Sequence, residues 1–231
     1  MDNIELSVII PAYLEEENLR ILLPRIVIEV QELSINYEIL VIDTIEPMDN
    51  TITVCNNFNV KYLNRVGGNL YGDAIRTALK FAKGKNILFM DADGSHSPEF
   101  IRKLYFNIEE NDIVIASRYT EGGSSDNGTV LIFMSWCVNK MYSVLFNLKC
   151  KDVSNSFKIY KRELFVGIIL KCKNFDIIEE MLIKFNRNKR ELRIKEIPYV
   201  FKERMFGHTK RNLIKFIFSY FFTLIRLKFI T

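Results

Sequence analysis

The sequence predicts an α/β protein built on a mostly parallel sheet with helices on both faces. Short apolar runs alternate with longer stretches of helical periodicity along the first half of the chain. These runs are continuous in Val, Ile and Leu, as expected for strands covered on both faces. With 231 residues, 48% of them hydrophobic, the chain can bury one substantial core, which favours a single main domain.

The predicted strands end at proline or at polar residues. Pro11 stops the first run and Asp43 stops the second, and a parallel strand presents ligand-binding residues at such an end. The five predicted strands are Leu6–Ile10, Tyr37–Ile42, Val60–Asn64, Ile87–Met90 and Ile113–Ala116. The predicted helices are Glu16–Glu32, Ile52–Phe58, Tyr71–Ala82, Glu99–Glu109 and Asp176–Asn186, with an amphipathic segment over Val130–Leu148. The Gly- and Ser-rich stretch Thr120–Gly128 is predicted to be a loop.

Two carboxylates, Asp91 and Asp93, directly follow the fourth predicted strand. They repel each other and lose hydration unless a positive charge lies between them. A hard divalent cation, Mg²⁺ or Mn²⁺, that also binds substrate phosphates would supply that charge. The alternative is a solvated turn that caps the helix beginning near Pro98. The two readings differ in whether other site residues meet at this strand end.

The composition argues against several other kinds of site. Four cysteines without a Cys-x-x-Cys pair, and only two histidines, argue against a zinc site or a disulfide framework. Neither a P-loop nor a dinucleotide fingerprint occurs, so phosphate binding would fall to a metal. The polar N-terminus is unlike a signal peptide. The basic residues lack the interleaved aromatic face that nucleic-acid binding would need.

Charge is distributed unevenly along the chain. Residues 1–150 contain 13 Lys and Arg against 20 Asp and Glu, whereas residues 151–231 contain 19 against 8. An acidic half that suits a metal is therefore followed by a basic half that suits phosphates or an anionic membrane.

Several short motifs occur in a fixed order along the chain. The first half contains Ser7–Tyr13, Glu15–Asn18, Val41–Asp43, Gly72–Ala74, Asp91–Pro98 and Ala116–Tyr119. The second half contains Ser156–Tyr160, Glu180–Leu182, Glu196–Pro198 and Arg204–Lys210. Together they resemble family-2 glycosyltransferases, and the second set resembles the dolichol-phosphate mannose synthase branch. The resemblance covers essentially the whole chain. It implies a Rossmann-like GT-A fold and transfer of a sugar from a nucleotide diphosphate sugar (GDP-mannose or a UDP-sugar) to a polyprenyl phosphate.

The resemblance also implies a role for each matching residue. The donor nucleotide would contact Pro11, Tyr13 and Glu15 after the first strand and Ile42 and Asp43 at the second. Asp91, Ala92 and Asp93 match the Asp-x-Asp motif that holds metal and diphosphate, and Ser95 falls near that metal. The basic residues Arg118, Arg204 and Lys210 would face the donor diphosphate and the acceptor phosphate. The implied catalytic set is Asp91, Asp93, Arg204 and Lys210.

Two positions depart from the family pattern. Thr44 stands where a second acid usually follows Asp43, and Leu14 stands where Asn is usual. That second acid often contacts the nucleobase, so the choice between guanine and uracil stays open. The substitutions are also compatible with a catalytically idle GT-A scaffold subunit, although such a subunit has no need to keep Asp91 and Asp93 together with Arg204 and Lys210.

The nature of the acceptor separates two enzymatic hypotheses. A phosphate monoester is already an anion at neutral pH, so it needs positive charge rather than a general base. A hydroxyl of a surface polysaccharide or lipid-linked glycan would need a base. Glu179 and Glu180, on the predicted helix Asp176–Asn186, are the candidates. In the first hypothesis, attack in line with the leaving group inverts the anomeric configuration.

The C-terminus is rich in apolar and aromatic residues but is interrupted by charges. The uncharged core between Lys215 and Arg226 is shorter than the roughly 20 residues that span a bilayer. We therefore expect a GT-A domain over residues 1–211 and an amphipathic, membrane-interfacial helix over residues 212–231. The alternative is that this segment packs on the sheet or forms a dimer interface. The expected location is cytoplasmic and peripheral on a membrane, with a membrane-anchoring subunit or a homo-oligomer as the expected partner.

Overall fold

The structure is a computed structural model that describes residues 3–206 and 222–229. The strands are β1 (Leu6–Pro11), β2 (Tyr37–Asp43), β3 (Lys61–Asn64), β4 (Asn86–Phe89), β5 (Ile113–Ser117), β6 (Ser124–Ser125), β7 (Lys158–Lys161), β8 (Ile194–Pro198) and β9 (Val200–Phe201). The helices are α1 (Glu16–Gln31), α2 (Thr51–Asn57), α3 (Tyr71–Phe81), α4 (Ile101–Asn107), α5 (Thr129–Leu145) and α6 (Ile177–Asn188). A 3₁₀ turn over Pro98–Phe100 precedes α4.

Within the described part of the chain, seven strands form the main sheet in the order β3-β2-β1-β4-β7-β5-β8. β1 pairs in parallel with β2 and β4, β2 with β3, and β5 with β8. β7 lies antiparallel between β4 and β5. The predicted mostly parallel sheet is confirmed, and each of the five predicted strands agrees to within one residue at either end. β7 and β8 were not predicted.

The main sheet separates two apolar cores. In β1, Ile9 points to the core that contains residues of α3, α5 and α6. Its neighbours Val8 and Ile10 point to the opposite core, which contains residues of α1, α2 and α4. Side chains along a strand alternate between faces, so a continuous apolar run is required when both faces are covered. The predicted helices on both faces are confirmed.

A second, two-stranded sheet forms next to the main one. β6 pairs in parallel with β9, with Ser124 opposite Val200. The predicted loop Thr120–Gly128 therefore contains a short strand. This pairing brings residues 118–126 and 199–206 together beyond β5 and β8.

Part of the predicted C-terminal helix lies within the described residues. Residues 222–229 are helical, and Leu224 and Leu227 are buried in the same core as α6. The remainder of 212–231 lies outside the described residues. Within residues 3–206 and 222–229, no helix is both long and apolar enough to cross a bilayer.

Candidate active site

The candidate site lies at the carboxyl ends of β1, β2 and β4. β1 is the middle strand of the three, and Pro11 pairs in register with Ile42 of β2. On its other side Ile9 pairs with Phe89, two residues before Asp91. The topology therefore brings the predicted residues of three separate motifs to one edge of the sheet.

Three groups hold Asp91. Ser156, which precedes β7, donates its hydroxyl to Asp91 Oδ2 at 3.0 Å. The hydroxyl of Tyr71, the first residue of α3, lies 3.4 Å from Asp91 Oδ1. The backbone N–H of Asp91 donates to Nδ1 of His96 at 2.9 Å. These contacts fix both the carboxylate and the backbone at the start of the Asp-x-Asp loop.

His96 is a buried part of this loop rather than a solvent-exposed acid or base. Its ring stacks on Phe157 with 4.6 Å between ring centroids and also contacts the rings of Tyr199 and Phe201. Burial lowers the pKa of His96, although Asp91 and Asp93 act in the opposite direction. Because Nδ1 accepts a hydrogen bond, the neutral ring carries its proton on Nε2.

Asp93 is held by Ser95 and by Arg204. Asp93 Oδ1 accepts hydrogen bonds from the Ser95 hydroxyl at 2.6 Å and the Ser95 backbone N–H at 3.0 Å. Arg204 Nη2 donates to Asp93 Oδ2 at 3.0 Å. Burial by itself raises the pKa of Asp93, but the Ser95 hydrogen bonds, the neighbouring His96 and the Arg204 contact outweigh it and hold that pKa below its ordinary value. Asp93 is therefore an anion at neutral pH.

The segment after β9 lies directly on the Asp-x-Asp loop. The Met205 backbone N–H donates to the carbonyl of Asp93 at 2.9 Å. Gly94 has a φ of +85°, and a Cβ there would come within 2.6 Å of the Met205 side chain. Only glycine satisfies both the backbone conformation and this close approach.

Glu15 contacts the same arginine from the end of β1. Arg204 Nη2 lies 3.9 Å from Glu15 Oε1, and Asn18 donates to Glu15 Oε2 at 2.5 Å. Burial raises the pKa of Glu15 to about 7, against the opposing effects of Asn18 and Arg204. Arg204 thus lies between two carboxylates that belong to different elements of the site.

At the end of β2, Asp43 is followed by Thr44 instead of the second acid that is usual in the family. Asp43 is buried and accepts a hydrogen bond from the Tyr62 hydroxyl at 3.0 Å, and burial raises its pKa. Thr44 is also buried, and its hydroxyl donates to the carbonyl of Glu46 at 2.6 Å. Thr44 therefore stabilises the turn after β2.

Arg65 is a part of this edge that sequence reasoning missed. It is buried, and its guanidinium donates to the carbonyls of Ala12 and Asn69. The Arg65 backbone N–H donates to the carbonyl of Asp43 at 2.9 Å. Arg65 therefore ties the ends of β1, β2 and β3 together. Its position directly after a predicted strand was the available signal.

The remaining predicted basic residues have different surroundings. Arg118 forms a two-pronged ion pair with the buried Asp152, with donor–acceptor distances of 2.8 and 2.7 Å. Its guanidinium also lies over the ring of Phe201, which in turn contacts His96. Arg118 is therefore next to the site, but its charge is balanced by Asp152. Lys210 lies outside the described residues.

The donor set at Asp91 and Asp93 fits a hard cation. Carboxylate oxygens are the protein ligands that Mg²⁺ and Mn²⁺ prefer, and Mg²⁺ usually takes one or two of them together with substrate phosphates. No group of three or more His, Cys, Asp or Glu side chains suited to a metal occurs within residues 3–206 and 222–229. A metal here would therefore complete its coordination with oxygens of a substrate or of water.

The similarity of this chain to known families agrees with that geometry. The profile of glycosyl transferase family 2 matches residues 7–168, which include β1 to β5, the Asp-x-Asp loop and β7. The chain belongs to glycosyl transferase family 2.

Two relatives carry names that concern lipid phosphates. A dolichol-phosphate mannosyltransferase of Pyrococcus furiosus is 33% identical over 94% of this chain, and the chain spans 61% of its length. An undecaprenyl-phosphate mannosyltransferase of Micrococcus luteus is 29% identical, with 88% of this chain and 86% of the relative aligned.

Solved structures show the same fold at low sequence identity. A glucosyl-3-phosphoglycerate synthase of Mycobacterium tuberculosis, crystallised with Mn²⁺ and UDP, superposes with a TM-score of 0.72 at 16% identity. The alignment covers 98% of this chain and 81% of the synthase. The predicted GT-A fold is confirmed.

Proposed function

We propose that this protein is an inverting glycosyltransferase that moves a sugar from a nucleotide diphosphate sugar to a polyprenyl phosphate. The observation that carries this proposal is the position of Arg204 against Asp93. The two carboxylates suit a cation on the donor diphosphate, and the guanidinium beside them suits a second phosphate. A phosphate acceptor must come close to the donor diphosphate, so the protein needs one binding group for each phosphate, side by side. The metal carboxylates and Arg204 meet that requirement.

The donor would lie along the ends of β1, β2 and β4. The proposed nucleotide contacts are the residues at or just after the ends of β1 and β2: Pro11, Tyr13, Glu15, Ile42 and Asp43. Ala92 lies between the two metal carboxylates in the sequence. A Mg²⁺ or Mn²⁺ ion held by Asp91 and Asp93 would neutralise charge that develops on the departing diphosphate. Ser95 would act through Asp93, since its hydroxyl already donates to that carboxylate.

The acceptor phosphate would be attracted and oriented by positive charge. Arg204 is the proposed primary contact, and Lys210 is proposed to join it. Arg118 is proposed to contribute more weakly, because its two-pronged pair with Asp152 is almost fully buried, whereas the Arg204 side chain is 31% exposed. A phosphate oxygen that is already ionised attacks without losing a proton, so this reaction needs no general base.

The surroundings of Glu180 weigh against a hydroxyl acceptor. Its carboxylate accepts the backbone N–H groups of Lys171 and Cys172 and pairs with Lys184 at 2.8 Å. Burial alone would raise the pKa of Glu180, but these partners hold it below its ordinary value. A carboxylate with a lowered pKa and three partners is a poor general base. Glu179 is fully buried, which also disfavours proton exchange with a substrate.

The names of the relatives support a lipid phosphate as the acceptor. The Pyrococcus and Micrococcus proteins are named for dolichol phosphate and undecaprenyl phosphate, and both for mannose. These names support mannose as the first sugar to test. Because Thr44 is committed to its own turn, both GDP- and UDP-sugars belong in that test.

We propose that an exposed apolar surface places the protein on a membrane. On α5, the exposed side chains include Phe133, Trp136 and Val144. Phe222 and Phe229 are 72% and 80% exposed on the neighbouring helical residues 222–229. Lys228 Nζ donates to the carbonyl of Leu145 at 3.0 Å, so residues 222–229 contact the C-terminal end of α5. Aromatic residues with nearby lysines suit an anionic bilayer interface, on the cytoplasmic side where nucleotide sugars would be available.

The experiment for this proposal is a donor and acceptor panel. Purified protein is incubated with Mn²⁺, a short polyprenyl phosphate and GDP- or UDP-linked sugars, and the lipid product is detected by mass spectrometry. The proposal predicts a polyprenyl-phosphate sugar with at least one donor. Nucleotide binding without any product would instead support the idle scaffold.

A further inference from the structure

We propose that Tyr71 is a positioning residue for Asp91, and that the helical residues 222–229 set its position through the loop 171–176. This inference rests on the proposed function, in which Asp91 binds a metal. It assigns a route by which the membrane-facing part of the protein acts on the metal site.

The first link joins Tyr71 to the loop before α6. The Tyr71 ring stacks on Phe175, with 4.2 Å between centroids and an interplanar angle of 21°. The Tyr71 hydroxyl reaches Asp91 Oδ1 at 3.4 Å. Because the stacked ring has few alternative orientations, Phe175 determines where that hydroxyl lies. A displacement of Phe175 therefore changes the contact with Asp91.

The second link fixes the same loop to the start of α3. The Gly72 backbone N–H donates to the carbonyl of Lys173 at 2.8 Å, and Arg76 Nη1 donates to the carbonyl of Cys172 at 2.6 Å. A Cβ at position 72 would lie 2.4 Å from the Cys172 carbonyl oxygen. The loop thus packs against α3 at a distance that only glycine permits. These contacts join the loop to α3, so a displacement of one is expected to displace the other.

The third link joins this loop to the C-terminal helical residues. The Thr223 hydroxyl donates to Asp176 Oδ2 at 2.7 Å. Arg226 lies 3.8 Å from the same carboxylate oxygen and also contacts the Cys172 sulfur. Asp176 is buried, so the loss of these partners would leave a buried carboxylate poorly compensated. The contact therefore strongly favours one arrangement of the loop.

The same helical residues present their opposite side to solvent. Phe222, Ile225 and Phe229 are exposed, whereas Leu224 and Leu227 are buried in the core with α6. Docking of the exposed side on a bilayer would restrain this helix and, through Asp176 and Phe175, restrain Tyr71. Partners of a metal ligand commonly change metal affinity when they are lost. We therefore expect Mn²⁺ affinity to report on both ends of this route.

The test measures Mn²⁺ binding by electron paramagnetic resonance on the purified full-length protein, with UDP or GDP present and no turnover. Tyr71→Phe keeps the ring stack and removes only the hydroxyl, and it should weaken Mn²⁺ binding by about 10-fold or more. Thr223→Val, which removes the hydroxyl that bonds Asp176, should also weaken Mn²⁺ binding. Thr223→Ser keeps a hydroxyl and should bind Mn²⁺ like wild type. The double variant Tyr71→Phe with Thr223→Val should bind Mn²⁺ no more weakly than the weaker of the two single variants, because both changes act on one route.

Two matched controls accompany these variants. Tyr105→Phe removes a tyrosine hydroxyl on α4, on the other face of the sheet, and Lys228→Ala alters the same helical residues without touching the loop. Both should leave Mn²⁺ affinity unchanged. Wild-type affinity in Tyr71→Phe, or additive losses in the double variant, would overturn this inference while leaving the proposed function intact. A wild-type protein that binds no Mn²⁺ with either nucleotide would instead overturn the proposed function.

Discussion

Arg204 donates a hydrogen bond to Asp93 across 3.0 Å, although the two residues are 111 positions apart in the chain. The contact joins the acidic first half, which supplies the carboxylates, to the basic second half. The guanidinium compensates part of the charge of Asp93 and lies 3.9 Å from Glu15. The uneven charge of the sequence therefore has a structural counterpart at the site itself.

Asp93→Ala should abolish metal-dependent nucleotide binding and leave the fold intact, since only a loop carboxylate is lost. Isothermal titration calorimetry with UDP or GDP, with and without Mn²⁺, measures this. Glu110→Ala, an exposed acid after α4, is the control and should bind like wild type. Equal affinity in all four combinations of Asp93 variant, wild type and metal would contradict a metal role for Asp93.

Glu15 should make stability depend on pH in the absence of metal. Because its pKa is raised from 4.5 to about 7, folded Glu15 keeps a proton that the unfolded chain loses between these values. The free energy of unfolding should therefore fall as pH rises through this window, by about 1–2 kcal/mol after allowance for partial solvent access. Urea unfolding of wild type and Glu15→Gln at pH 5 to 8, with a chelator, tests this. An identical pH slope in both proteins would contradict it.

Leu14→Asn should stabilise the protein. Leu14 has a φ of +56° and an exposed side chain, so it carries left-handed strain with little burial to offset it. Asn tolerates this conformation, and relief of roughly 0.5–1 kcal/mol is expected. Chemical unfolding measures it, with Leu14→Ala as a control that removes the side chain without relieving the backbone. A stability gain in Leu14→Ala equal to that in Leu14→Asn would show that the backbone is not the cause.

The exposed aromatic residues should carry liposome binding. Phe133→Ser with Trp136→Ser should reduce co-sedimentation with anionic liposomes, and high salt should weaken wild-type binding without eliminating it. Phe106→Ser is the matched control, because Phe106 is 68% exposed on α4, which belongs to the other core. Removal of residues 212–231 is a poorer test, since Leu224 and Leu227 belong to the core.

Wild-type protein that stays in solution with anionic liposomes at low salt would contradict the membrane proposal. The α5 surface would then face a membrane-anchoring subunit or a second copy of the chain. Light scattering of the purified protein distinguishes these two partners.

Local patterns predicted the parallel half of the fold well. β1, β2 and β4 are apolar runs that end in the residues of the site. Both the apolar pattern of each strand and the position where it ends can therefore be recognised in the sequence. β7 is different: it reads Lys-Ile-Tyr-Lys, and Lys158 is buried with its ammonium bonded to the carbonyls of Val153 and Asn155. Burial lowers the pKa of Lys158 to about 8. A strand with a buried lysine and a partner far along the chain gives no local signal.

The sequence also gives no local signal for those contacts of the site that join distant parts of the chain. Strand-end residues such as Asp43 and Asp91 could be predicted because their position follows from the strand pattern. The pairing of Arg118 with Asp152, and of Glu180 with the backbone of residues 171–172, depends on tertiary contacts. Sequence alone therefore placed these charges near the reaction without showing that each already has a partner.

The proposed acceptor is a phosphate held by positive charge. Its most direct test compares turnover of a polyprenyl phosphate with that of the polyprenol of the same length, using wild type, Arg204→Ala and Lys210→Ala. We expect product only from the phosphate, with inverted anomeric configuration, and a loss of about 10²-fold or more in Arg204→Ala. Glu180→Gln should retain turnover in whatever fraction of it folds. Product from the polyprenol, abolished by Glu180→Gln and unaffected by Arg204→Ala, would contradict the claim.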